Sequence, residues 1–460
     1  MNIECCSIRG RHARLYIFVA ALLLSTINSQ LSTCFAQGSL TPPGAPAPTM
    51  KSLDEVEPRI NIQRTINPLP NDANYHYIIS TPGSYYLSSN LDVTKPNGIH
   101  ITVAGVTVDL NGFQISRSSG SGGDGITIDP TADRCTVKNG SVAGFTSGVQ
   151  CVQSLGTIAR AGSFLQLSVA GCLNTGIKAG HAWQVDGCKF HNNLNGGLLT
   201  GNGCTITNCT AMQNLGPGIT ASDGCTLNNC TAFSNQGTYA ISANLGSTLN
   251  NCTARANIST SSVAAAILVN DGSTLSNCTV YGNQCTWGIY AISGCTLTNC
   301  SATSNHSSES VSAGINTGAG CNIIACTSAF NESTNGTASR STGIGILTGS
   351  QSTVKDCTAN SNKGDGIQTV SFCTITGCTS VINGSAGIGD GVHTTGFNNR
   401  IDGNIAHANS GIGIHGHATA DYIIRNIANG NGAGNYSPAS GTYVGPFSTP
   451  GSATSPWANF

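Results

Sequence analysis

The sequence predicts an all-β solenoid, a parallel β-helix. Three observations carry the prediction: a repeat of about 21 to 26 residues, residue files that keep register through it, and a composition that leaves small and aliphatic side chains to form the core. The strings GCTITNCTAMQN from Gly203, GCTLNNCTAFSN from Gly224, GSTLNNCTARAN from Gly246 and GSTLSNCTVYGN from Gly272 are near copies of one another. Units of this length cannot bury an apolar face alone and must stack. The 460 residues include 58 Gly, only 8% charged residues and a formal net charge of -1. Such a chain has no basic stripe for nucleic acid and too little charge to stay unfolded.

From the N-terminus, Arg9, Arg11 and Arg14 precede an apolar run from Leu15 to Leu24, and Cys34-Phe35-Ala36 offers a small-x-small cleavage site. Residues 1–36 therefore read as an export signal, which places the rest outside the cell or in its envelope. A membrane span would need roughly 20 apolar residues, and Ser25, Asn28, Ser29 and Gln30 interrupt the run. The string LSTC ending at Cys34 resembles a lipoprotein cleavage box, so a lipid anchor at Cys34 stands as the alternative to free secretion. Residues 37–58 are rich in Pro and Gly and read as a linker. Residues 59–97 are expected to form an N-terminal cap with entry strands, 98–435 a solenoid of about 14 coils, and 436–460 a C-terminal cap or tail.

Within the solenoid an aliphatic file runs through Val185, Ile206, Leu227 and Leu249 to Ile423. Three residues later a cysteine file runs from Cys188 to Cys378 and continues as Asn404 and Asn426, and five further on an unbroken file runs from Asn193 to Asn431. Inward positions alternate with Thr, Ser or Asn over short stretches, which is the period of a strand. Each unit then holds about three strands, with no room for a helical crossover. Asn tolerates left-handed backbone at a tight bend, and stacked amides bond from rung to rung.

These files, with STPGSYYLSSNL and GVTVDLNGF nearer the start, resemble the right-handed parallel β-helix proteins of the pectin-lyase-like superfamily over Tyr77 to Asn435. The resemblance implies a right-handed, single-stranded helix. It leaves function open, because the superfamily mixes polysaccharide lyases, glycosidases, epimerases and adhesive or structural proteins. Its pectate-type enzymes use clustered Asp for calcium and an Arg or Lys base, an arrangement that no rung here displays.

Eighteen cysteines follow the leader, and pairs such as Cys204/Cys209 and Cys225/Cys230 invite a disulfide reading. Ser247, Ser273 and Ser352 replace the first member while Cys252, Cys278 and Cys357 persist, which favours small buried thiols. No four cysteines converge on one level as zinc ligands would. An outward file from Thr210 to Thr379 raises ice binding as a remote alternative, although a matched second file is patchy and strand propensity explains the first.

Sites are sought where the repeat is broken. Insertions at 258–265, 306–313 and 332–342 leave one corner and carry Glu309 and Glu332, candidate catalytic carboxylates weighed against plain solvated charge. Near the C-terminal end, alternation places His415 and His417 on one outward face, with His393 one rung away and Asp365 and Asp390 in equivalent positions before their strands. These five are the candidate substrate-binding residues, and His393, His415 and His417 are candidate ligands for a divalent metal, with no cofactor required. The expected function is non-catalytic: a monomeric glycan-binding, adhesive or envelope protein whose partner is an extracellular polysaccharide or cell-surface component, with no nucleic-acid partner. A polysaccharide lyase or glycoside hydrolase is the alternative.

Overall fold

The computed structural model describes residues 58–117, 122–154, 156–259, 261–334, 340–384, 388–417, 419–449 and 451–460. The expected export signal, Cys34 and the linker through residue 57 lie outside the described residues. Every regular element among the described residues is a β-strand, and none is a helix long and apolar enough to cross a membrane.

Each coil contributes one short strand to each of three faces. Thr205–Thr207 lies on the first face, Thr210–Met212 on the second and Ile219–Ala221 on the third. Equivalent strands pair in parallel from coil to coil, so Ile206 sits on Leu227 and Leu227 on Leu249. All three are fully buried. The third face holds sixteen strands, from Tyr75–Ile79 to Gly434–Pro438. The expected count of about 14 is therefore corrected upward. Tyr75–Ile79 pairs with Asn97–Ile101, and Gly434–Pro438 with Ile412–Gly416, so segments without the repeat's signature still continue the winding.

From Cys188 onward the coils turn three corners each, and a corner pairs a left-handed residue with an inward acceptor. One corner uses Asn208, Asn229 and Asn251, the next Gln213, Ser234 and Ala256, and the third Gly203, Gly224 and Gly246, all at positive φ. The long Asn file is thus not the left-handed residue it was expected to be. It follows that residue, and its work is done by the side chain. Asn283 Oδ1 accepts the backbone N–H of Asn257 at 3.0 Å and its amide N–H at 2.9 Å, and Asn283 Nδ2 donates to Asn305 Oδ1 at 3.0 Å. Buried corner amides left without partners would each cost roughly 1–3 kcal/mol, which explains why no rung from Asn193 to Asn431 omits the Asn.

The other two corners use sulfur and hydroxyl for the same purpose. The N–H of Cys204 donates to Cys225 Sγ at 3.3 Å, that of Cys225 to Ser247 Oγ at 3.2 Å, and that of Cys326 to Cys357 Sγ at 3.4 Å. All eighteen cysteines of the described residues are buried and free. The Ser replacements fall where any small acceptor serves.

Candidate functional site

The third face ends in a segment where its outward file changes character. In that file Gln368 pairs with His393, His393 with His415 and His415 with Ser437. Gly366 and Gly391 open their strands because a Cβ there would lie 2.6 Å from Asn383 Nδ2 and 2.7 Å from Asn409 Nδ2. The residues before them, Asp365 and Asp390, are fully buried. They are therefore more than ordinary turn residues.

Each aspartate spans two rungs. Asp365 Oδ1 accepts the N–H of Asp390 at 2.7 Å, and its Oδ2 lies 2.7 Å from His393 Nδ1. One rung on, Asp390 Oδ1 accepts the N–H of Ile412 at 2.7 Å, and its Oδ2 lies 2.7 Å from His415 Nδ1. The same device is built twice in tandem. A carboxylate at Nδ1 holds the proton there and leaves Nε2 as the working edge of the ring. The two imidazoles stack with centroids 4.8 Å apart and planes 8° apart, and His417 stands edge-on to both at 5.9 and 5.6 Å. His393 is 7% exposed, and its Nε2 has no hydrogen-bond partner among the described residues, nor has the buried Oε1 of Gln368 beside it in the file.

The two carboxylates differ electrostatically. Burial pushes Asp365 above the usual carboxylate range, more than its bond to His393 offsets. Burial acts on Asp390 too, but the hydrogen bonds from His415 and Ile412 and the Arg340 cation outweigh it and hold Asp390 low. Arg340 comes from the last insertion, and its Nε lies 3.2 Å from Asp390 Oδ2. The insertions thus flank the third face and deliver a cation to it.

Asp390, His393 and His415 offer ligand atoms within 4.8 Å of one another. Two imidazoles and a carboxylate suit a divalent metal in kind. In geometry they are less apt, because rings with near-parallel planes aim their Nε2 lone pairs side by side and not at one point. The arrangement serves hydrogen bonding to a ligand better than metal ligation.

The other sequence candidates separate. Glu332 and His306 form a half-exposed pair at 2.7 Å, on the strands Glu332–Ser333 and His306–Ser307. Glu309 is held by its backbone, which takes hydrogen bonds with Ser307 and Ser333. Ile258, Gln284, His306 and Glu332 stack along this corner, and the first three edge a groove of about 470 Å³ lined by residues of four coils. Two features went unforeseen. His100 and Asp129 pair at 2.6 Å near the other end of the third face, and Arg400 and Arg425 both bind the buried Asp402. The aligned position of His100 in the same outward file was the available signal for the first.

The chain belongs to the right-handed β-helix family. The model of the right handed beta helix region matches residues 162–301 and 264–431, which together span more than half of the chain. Among solved structures it is similar to a pectate lyase, with 17% identity over 49% of this chain and 71% of that one and a TM-score of 0.35. It is also similar to a periplasmic alginate epimerase, with 12% identity over 84% and 82% and a TM-score of 0.35. A third is tailspike protein 3 of bacteriophage CBA120, with 11% identity over 88% and 68% and a TM-score of 0.36. These likenesses are of fold alone. No curated protein matches the chain.

Proposed function

We propose that the chain is an exported polysaccharide-binding β-helix whose glycan lies against the third face at His393, His415, His417 and Arg340. The observation that carries this reading is the tandem of carboxylate-fixed imidazoles, with the buried Nε2 of His393 unpartnered, on a rod with few other charges. The Nε2 edges accept from sugar hydroxyls, and a guanidinium donates to hydroxyl and carboxylate oxygens. Asp365 and Asp390 act through the rings, since both are fully buried. The flat His stack supports ligand binding without a metal. Ice binding gains no support, because the second file on the first face breaks its Thr pattern at Asn228, Asn250, Ile324 and Lys355.

A catalytic reading has one specific observation in its favour. Asp365 is shifted up and Asp390 down, and neighbouring carboxylates whose environments push them apart are how acid and base roles are divided. In that reading Asp390 orients His415, and His415 Nε2 takes a proton from a uronate ring as in a lyase.

The test is a panel of acidic and neutral polysaccharides incubated with the full chain, scored for binding by calorimetry and for turnover by unsaturated and reducing ends. Binding that His415→Ala weakens roughly 10- to 100-fold at unchanged fold supports the proposal. Turnover abolished by the same variant moves the site to the catalytic reading, and failure to bind any glycan overturns both.

A further inference from the structure

The first face also changes at its C-terminal end, in different residues and on a different side of the coil. Its outward file is Thr from Thr205 to Thr374, interrupted at Asn322. It then becomes Arg400, Tyr422 and Tyr443. The Tyr422 and Tyr443 rings stack at 4.8 Å and 16°, yet remain 48% and 60% exposed. Beside Tyr443 lies a pocket of about 280 Å³, walled by Ile424, Tyr443, Pro446 and Trp457. Trp457 is half-exposed, whereas Trp183 is buried.

A cap alone does not require these rings. The last coil is closed by Val444, which packs on the core, and by the buried Ala458 and Asn459. Asn459 completes a corner ladder by accepting the N–H of Asn426 at 3.0 Å and donating to the carbonyls of Ile423 and Gly445 at 3.0 and 2.9 Å. A cation flanks the pocket on its Trp457 side. Arg425 lies over the Trp457 ring at 5.5 Å, and Arg425 and Arg400 share the single carboxylate of Asp402. Each commits two of its five N–H donors there, so two guanidiniums face one anion.

We infer that this patch is a second carbohydrate site, independent of the imidazole face, that takes a pyranose ring bearing a carboxylate. Aromatic surfaces with one wet edge suit the apolar C–H face of a sugar, and the pocket is of monosaccharide scale. The excess guanidinium charge on its flank selects an acidic sugar over a neutral one.

The test titrates the full chain with trigalacturonate and, as the neutral control, maltotriose, following tryptophan emission and calorimetric heat. The expected result is a saturable emission change with trigalacturonate that is stronger than with maltotriose. The calorimetric affinity should weaken about tenfold in Tyr443→Ala and in Trp457→Phe, fall in Arg425→Gln for trigalacturonate alone, and persist in His415→Ala. Trp457→Phe keeps an aromatic ring, so circular dichroism and thermal melting are expected to stay unchanged in it. No response to trigalacturonate, or a response lost in His415→Ala, overturns the assignment. So does a concentration-dependent dimer in sedimentation that Trp457→Phe dissociates, because the patch would then be covered by a second copy.

Discussion

The rungs from Gln184 to Lys355 and those from Asp365 to Tyr443 share one backbone plan and differ in what they place on it. In the first group two of the three corners are lined by thiols and hydroxyls, and the leading outward position of the strands on the first two faces is mostly Thr. In the second group the corners pass from Cys373 to Asn399 and Asp421, and from Cys378 to Asn404 and Asn426. The outward files there acquire His393, His415, Arg400 and Tyr422. The strands pair identically in both. What a rung needs in order to stack is therefore confined to its inward and corner positions, and its outward positions are open to chemistry. The imidazole tandem is a change in the decorations of the coils, and only Arg340 comes from a change in their path.

The most severe way to break this comparison is to remove a corner amide that both groups require. Asn305→Ala strips the acceptor from the N–H of Asn283 at 3.2 Å and from its Nδ2 at 3.0 Å. Two orphaned buried groups should cost about 3 kcal/mol in urea denaturation. A loss below about 1 kcal/mol would show that the Asn ladder is ornament.

The next effect separates two buried aspartates of the C-terminal rungs by pH. Asp390 titrates low in the folded state, so its stabilisation is present above the unfolded carboxylate value near 4 and is lost as pH falls through its folded pKa. Asp390→Asn should therefore cost about 1–3 kcal/mol at pH 7 and progressively less as the pH is lowered below about 4. Asp421 is shifted the other way by burial, and it accepts the N–H of Asn399 at 2.8 Å with no cation bonded to it among the described residues. Its folded state favours the proton, so stability is whole below about pH 4 and declines as pH rises. Asp421→Asn should gain about 1 kcal/mol at pH 7, with the gain vanishing in acid. Melting curves at pH 7 and in acid decide both, and same-sign effects would refute the electrostatic contrast.

Smaller still is the exchange of one corner acceptor for another. Cys204→Ser should cost under about 1 kcal/mol, because Ser247 and Ser273 already serve this ladder. Cys172 and Cys285 should also be inert to a disulfide reagent at pH 8 until the chain is unfolded, since burial pushes them up to about 11 and about 12. Fast native labelling would contradict the packing. Least of all, Thr253→Val on the outward file should change stability by no more than about 0.5 kcal/mol, and chelator should leave glycan binding at the imidazole face intact.

The fold was largely legible because its rule is local and repeated. Ile206, Leu227 and Leu249 recur at one offset, and a file that never fails can only be a stack. The ends were less legible. Tyr75–Ile79 and Gly434–Pro438 lack the Cys and Asn markers, so the coil count came out low. Of the site, the approach of His393 to His415 followed from alternation and register alone. The bonds from Asp365 to His393 and from Asp390 to His415 did not, because they cross between rungs through corners whose length varies. Arg340 was visible only as a charge in an insertion, and its reach to Asp390 depends on how that insertion folds back.

By itself the sequence determined the winding: short alternating segments and left-handed corners permit one economical way to satisfy every buried amide, and that is to lay each coil on the last. Tertiary structure alone decided which outward groups became a site. Side chains some 25 residues apart become partners only when the backbone spacing between rungs, near 4.8 Å, brings a carboxylate of one coil under an imidazole of the next. No property of either residue in the linear chain encodes that distance.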